Sequence, residues 1–441
     1  MELDKNIIYE RLTKKNYSID KNKLIDIVNY TFDISANIIG DYDFKIPDNN
    51  KKMNPLIWEY GHFLFFWENL IIKNLDYNYY NNYILKLNGD YYDSFLISKE
   101  NRYKYINLLK NKKELNKISN DIKKLILKVI DTNLNSINMY LIMLGCSHQH
   151  MHNESFIYSI NYYKNLLIEN HKNCKFDECF KINKQIEYNY NENIVSEIKL
   201  INIKGGGYIQ GIDINNNNYF YFDNESPSFK TTIDDFKCSK YPITNWQFIK
   251  FVEDGGYDNS NLYSPEGYSC IKNINKKSNN MYMPYNWEYI DGCYYEKVFG
   301  KLIKLRYNHP VCVTWYEANA FCKLYNYRML KEKEWEYMAE SNENSNCDYN
   351  YPQSVLKERN KNMGVYGLYG NYWEWCEENI YPYDGYIIDP VYREMSYPFF
   401  GYKKICKGGA WCIPKFLGTR TYRNSQMPDC NYQFITFRVC N

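Results

Sequence analysis

The chain has only six histidines in 441 residues, and its 14 cysteines include no C-x-x-C pair. The missing pairs remove zinc-ribbon and thioredoxin-type readings. A secretory leader is not expected either: Met1-Glu2-Leu3-Asp4-Lys5 puts acids where a signal peptide needs a basic and then an apolar stretch. The thiols are therefore expected to be mostly reduced core residues of a soluble cytoplasmic protein. No long apolar run exists; the densest, Phe63-Leu64-Phe65-Phe66-Trp67, is far too short to span a bilayer. An excess of one charge is absent too, with Lys+Arg at 54 and Asp+Glu at 52. That balance gives no electrostatic case for nucleic acid or a membrane surface as the main partner. No internal repeat is found. One residue is in excess, Tyr at 49. With abundant Asn, Lys and Ile it fits an A/T-biased genome, so a single tyrosine carries little information.

What is present is concentrated in the histidines. Four of the six lie in two short segments, Trp58-Glu59-Tyr60-Gly61-His62 and His148-Gln149-His150-Met151-His152-Asn153-Glu154. Four residues apart on a helix, His148 and His152 stack on one face. His62 from a neighbouring helix would complete a cap of three nitrogens on one metal ion, leaving coordination positions open for catalysis. His150 is offset by two residues from each and is expected to point away. The bland alternatives are a zinc or nickel site, or buried histidines with no metal.

The texture changes along the chain. The first ~175 residues read as helical: Ile122–Ile130 and Ile137–Leu144 are apolar at helical spacing, and Trp58 to Leu70 is apolar nearly all round. A four-helix bundle with ligands on facing helices is the expected solution. A polar linker is expected over 176–200. From about Ile201 glycines, prolines and aromatics multiply, and short strands in a loop-dominated domain are expected to residue 441. The fold class is thus α+β.

Seven marks in the second half occur in one order. They are Gly206-Gly207-Tyr208-Ile209-Gln210-Gly211, Tyr241-Pro242-Ile243-Thr244-Asn245, the run Pro310 to Ala318, Glu334-Trp335-Glu336, Gly370-Asn371-Tyr372-Trp373-Glu374-Trp375, Gly408-Gly409-Ala410-Trp411 and Phe437-Arg438. On these marks the second half resembles the formylglycine-generating-enzyme-like fold of the sulfatase-modifying-factor family, a C-type-lectin-like architecture. The first half looks like a DinB-type bundle, whose three-histidine site matches His62, His148 and His152. The two modules in this order resemble the ergothioneine/ovothiol sulfoxide synthases. Phe220-Tyr221-Phe222-Asp223-Asn224-Glu225, Phe251-Val252-Glu253-Asp254-Gly255-Gly256-Tyr257 and Thr421-Tyr422-Arg423-Asn424 match further runs of those synthases.

The resemblance implies a non-haem Fe(II) enzyme. It would join a thiol sulfur, from cysteine or γ-glutamylcysteine, to an imidazole carbon of histidine or hercynine with O2. It also implies a tyrosine from the second module that supplies a proton or electron beside the metal, and Tyr392 takes that place. Met395 stands where some members carry a second tyrosine. Asn424 is kept at a substrate-binding position, but Ser425 and Gln426 replace an aromatic and an acid, which favours free cysteine. Met151 replaces a glutamine between the metal histidines. Arg102 could bind a substrate carboxylate or be a surface arginine. Glu154 is expected to orient a ligand imidazole. Three other readings compete: a selenium-using relative, a formylglycine-generating oxidase, and a non-catalytic binding protein of the same fold. The oxidase needs two cysteines, and only Cys412 is near place; Leu417 stands at the second.

Overall fold

A computed structural model describes residues 17–40, 52–75, 83–169, 193–215, 219–274, 277–278, 281–339, 347–357 and 361–441. The expected linker lies outside the described residues as far as 192. Four longer helices open the fold: α1 Lys21–Ile39, α2 Leu56–Phe66, α3 Lys112–Thr132 and α4 Ser136–Glu169. Their starts follow from local chemistry. Asp20 accepts from the Lys23 amide, and Asn111 and Glu114 form a capping box. Asn135 Oδ1 accepts from the Asn138 amide at 2.9 Å.

α1 and α3 are amphipathic. Leu24, Val28, Phe32 and Ile39 face inward on one, and Leu115, Ile118, Ile122, Ile126 and Val129 on the other. α1 packs on α4 and α3, and α2 packs on the same two. α2 is buried almost all round and runs on into a π-helical turn, Trp67–Ile71. Such turns frequently accompany functional sites. Two glycines allow close packing here, Gly61 of α2 against Tyr92 and Gly145 of α4 against Trp67 in the turn that continues α2. A Cβ on Gly61 would stand 2.0 Å from the Tyr92 ring, and one on Gly145 would stand 2.5 Å from the Trp67 ring.

In the second half eight strands make two sheets: β1 Leu200–Ile203, β2 Phe236–Ser239, β3 Arg328–Met329, β4 Trp373–Asn379, β5 Lys404–Lys407, β6 Asn424–Gln426, β7 Ile435–Phe437 and β8 Val439–Cys440. One sheet has the order β1-β2-β8-β3 and the other β6-β5-β4-β7, in which β4 and β7 run parallel. Long loops join them and are fastened by buried ion pairs. Arg306 pairs with Glu296, Arg423 with Glu332 and Arg438 with Glu374, at 2.6, 2.6 and 2.9 Å. Each cation keeps its carboxylate, so none is left charged and alone in the core. Several of the motif residues are struts of this kind. Trp335 Nε1 donates to Glu374, and Glu225 accepts from the Thr421 hydroxyl at 2.6 Å.

One hydrophobic core runs through both halves, from Leu24 and Trp67 to Trp375 and Phe437. α4 is the seam. Asn161 Oδ1 accepts from the Phe299 amide and Asn165 Oδ1 from the Gly300 amide. No helix among the described residues is long and apolar enough to cross a membrane.

Candidate metal centre

α4 is buried over residues 147–150 and 153–155 and half-buried at Met151 and His152, and its polar side chains are sorted by direction. Gln149 and Asn153 face α1: Gln149 donates to Ser35, Ser35 donates to Asn153, and Trp67 Nε1 donates to Gln149. His150 turns to the second half. Its Nδ1 lies 2.6 Å from the Tyr349 hydroxyl and its Nε2 3.0 Å from the Thr31 hydroxyl. His148 and His152 face α2 and meet His62 there. The three residues offer ring nitrogens that all lie within 4.8 Å of one another, and the Nε2 atoms of His148 and His152 are 3.1 Å apart.

The partners of these rings decide which nitrogens are free. His62 Nδ1 lies 2.7 Å from the Tyr92 carbonyl oxygen, an atom that only accepts, so the proton sits on Nδ1. His152 Nδ1 lies 2.7 Å from Glu59 Oε1. Both rings therefore turn an Nε2 lone pair into the cluster. His148 is held by stacking on Phe66, with ring centroids 3.6 Å apart, and its buried Nδ1 has no hydrogen-bond partner among the described residues. Burial, and then the neighbouring His152, lowers the His62 pKa to about 3 and takes His148 well below the usual imidazole range. Imidazole nitrogens converging in this way fit a divalent metal ion, which removes the repulsion between facing lone pairs.

The carboxylate bonded to a ring of this cluster is Glu59, three residues before His62 on the same face of α2. Burial alone would raise its pKa. The His152 ring and hydrogen bonds from His152 and Ser155 outweigh that and bring it to about 2. The expectation for Glu154 is thereby corrected. Two residues beyond His152, it lies on the far side of the helix, where it accepts from Trp373 Nε1 at 2.7 Å. Burial there raises its pKa to about 7.

Tyr392 stands against the cluster. Its ring meets Phe66 edge-on at 4.9 Å and His148 at 5.4 Å between centroids. Burial raises its pKa above the ordinary phenol range, so the hydroxyl keeps its proton. Arg102 also belongs to this region and is half-buried. It stacks on Trp58 at 4.0 Å, and Trp58 stacks on His62 at 4.8 Å. Its nitrogens donate to Asn54 Oδ1, Ser94 O and Ile97 O, so its fork is largely committed to the protein.

Asn424 and Gln426 lie on β6 opposite Cys406 and Lys404 of β5, and the Asn424 side-chain oxygen accepts from the Ser425 amide. Neither bonds to the three imidazoles. Met151 is half-buried and packs on the core, and Met395 is buried behind the Tyr392 turn. Sequence reasoning missed Glu59 and Trp58 as partners of the cluster. The Lys403 ammonium lies 3.4 Å from the Phe399 ring centroid, and burial lowers its pKa to about 8.

A family model described as the sulfatase-modifying factor enzyme 1-like domain matches residues 188–441. The chain belongs to that family. Hercynine oxygenase of Mycolicibacterium smegmatis is 24% identical over 254 residues, covering 51% of this chain and 57% of that protein. Hercynine oxygenase of Mycobacterium tuberculosis is 24% identical over 230 residues, covering 47% and 52%. The formylglycine-generating enzyme of Mus musculus is 22% identical over 287 residues, covering 54% and 74%. The chain spans little more than half the length of the hercynine oxygenases it matches. Among solved structures, PvdO from Pseudomonas aeruginosa aligns with a TM-score of 0.39 and 18% identity over 55% of this chain and 93% of that one. Cys412, the one thiol near an oxidase position, is fully buried, and burial raises its pKa well above the usual thiol range.

Proposed function

We propose that the chain is a non-haem iron-dependent sulfoxide synthase. It would form a C–S bond between a thiol, cysteine or γ-glutamylcysteine, and the imidazole of histidine or hercynine. The observation that carries the reading is the convergence of His62, His148 and His152 beneath Tyr392, a residue of the other half. The likeness to proteins named hercynine oxygenases supports the same chemistry. The reaction balances without an external reductant. The thiol S–H and the imidazole C–H are lost, one oxygen atom ends on sulfur and the other in water, and all four electrons come from the two substrates.

His62, His148 and His152 would hold the metal through their inward nitrogens. Ferrous iron bound there would supply the redox capacity for O2 and a coordination site for the thiolate. The protein's own groups do the rest. Tyr92 and Glu59 keep two imidazoles in the metal-binding tautomer. Phe66, Trp58 and Phe63 exclude water from one side of the cluster. Tyr392 holds a phenolic proton beside His148 at neutral pH, so it can donate to a developing negative charge on oxygen.

The test is anaerobic Fe(II) loading, then O2 with cysteine and either histidine or hercynine, read by mass spectrometry. A sulfoxide product supports the reading, and thiol oxidation without C–S bond formation rejects it. Replacement of any one of the three histidines by Ala should abolish iron binding and turnover together. Tyr392→Phe should keep iron and substrate binding but slow product formation, mainly in kcat. The substitutions at Ser425 and Gln426 favour cysteine over γ-glutamylcysteine, which competition between the two thiols measures.

A further inference from the structure

The loop that carries Tyr392 has little regular structure of its own. Among the described residues its phenol is located by ring contacts with Phe66 and His148, so its position depends on where the backbone at 392 is held. Two buried carboxylates hold that backbone. Asp389 Oδ1 accepts from the amides of Val391 and Tyr392 at 2.8 and 2.9 Å. Its Oδ2 accepts from the Tyr140 hydroxyl, across the boundary between the halves. Behind it, Asp223 Oδ2 accepts from the Asp389 amide at 3.1 Å and the Tyr386 hydroxyl at 2.5 Å. Asp223 Oδ1 accepts from the Ser396 hydroxyl at 2.8 Å. The loop from Tyr386 to Ser396 is thus fastened at both ends and in the middle.

Tyr140 lies on α4, eight residues before His148, which is about 12 Å along a rigid helix. The helix that presents two of the three imidazoles is therefore also the anchor of the loop that presents the phenol. We infer that Asp389 is a positioning residue for Tyr392, and that the Tyr140–Asp389 hydrogen bond sets the phenol at its working distance from the histidine cluster. This rests on the reading of Tyr392 as a proton donor in the proposed reaction. It also gives a task to the aspartate of the Phe222-Asp223-Asn224-Glu225 run, which holds Asp389 from behind.

Tyr140→Phe is the sharpest test, because it removes one hydroxyl and keeps the ring that packs on Phe220 and Tyr17. Iron content and KM should stay within about twofold of wild type, while kcat falls by roughly tenfold or more. Asp389→Asn, which keeps an acceptor for the two amides, should behave similarly. A merely structural role would add its effect to any other. Here Tyr140→Phe should cost nothing further in a Tyr392→Phe background. Independently of turnover, 3-fluorotyrosine placed at position 392 of the metal-free protein should give one narrow fluorine resonance. In Tyr140→Phe that resonance should broaden or split. An unchanged resonance, or rate losses that simply add, would overturn the inference. A fluorine response in a protein that forms no sulfoxide would uphold the positioning and reject the reaction.

Discussion

Two buried glutamates near the same histidines make opposite demands. Glu59 accepts from His152, and Glu154 accepts from Trp373 and is hydrogen-bonded to none of the three imidazoles. Loss of a carboxylate behind a metal-binding histidine commonly weakens the metal by 10- to 100-fold. Glu59→Gln should therefore weaken metal binding by at least about tenfold in a competitive chelator titration, and Glu154→Gln should leave it unchanged. Equal effects would mean that the metal senses both carboxylates only through the general field. His150 makes a third contrast. Both its nitrogens are engaged by hydroxyls in a buried site, so His150→Ala should keep full metal stoichiometry and yet lose stability. Emptying the site and leaving a hydroxyl unpaired costs of the order of 2–3 kcal/mol. Thermal unfolding beside metal analysis separates the two outcomes.

Between elements, the closeness of α4 to α2 and the turn that continues it is what brings the three imidazoles together, and it depends on one missing side chain, at Gly145. Gly145→Ala would press a methyl group into Trp67, whose indole also bonds to Gln149. Overpacking of this kind costs about 1–3 kcal/mol. Because His148 follows Gly145 by one turn, metal affinity should fall along with the melting temperature. A variant with a lower melting temperature but wild-type metal affinity would show that the helices absorb the strain elsewhere. These elements also mark how far the sequence could be read. The spacing of His148 and His152, and the apolar run around His62, pointed to facing helices because helical periodicity is local. The period also contained the correct place of Glu154, since a residue two positions on lies on the opposite face. The family resemblance outweighed that geometry. Glu59 and the Tyr140–Asp389 bond depend on which helix faces which loop, and a single chain's periodicity does not encode that.

At the scale of the molecule, a continuous core makes the two halves one cooperative body, so calorimetry of the metal-free protein should give a single transition. Two separated peaks would contradict the shared core. The pH dependence of that transition has a predicted component. Burial raises the Glu225 pKa from 4.5 to about 7 against the opposing Thr421 hydrogen bond. Between those two values the native state binds more protons than the unfolded chain. The contribution of Glu225 to stability therefore falls as pH rises through this window and levels off above it. Glu225→Gln should remove that slope, worth up to about 3 kcal/mol between pH 4.5 and 7.5.

α4 carries the histidines on one side, the Asp389 anchor on another, and the asparagines that grip Phe299 and Gly300 further along. These contacts share one helical phase. A one-residue insertion between Tyr140 and His148 would turn the imidazoles by about 100° relative to the anchor. A seven-residue insertion would nearly restore the direction, but it would slide them by about 10 Å. No insertion keeps both angle and height. The stretch from Tyr140 to Asn165 is thus fixed in residue number, and chains that keep this site can vary in length only in the loops around it.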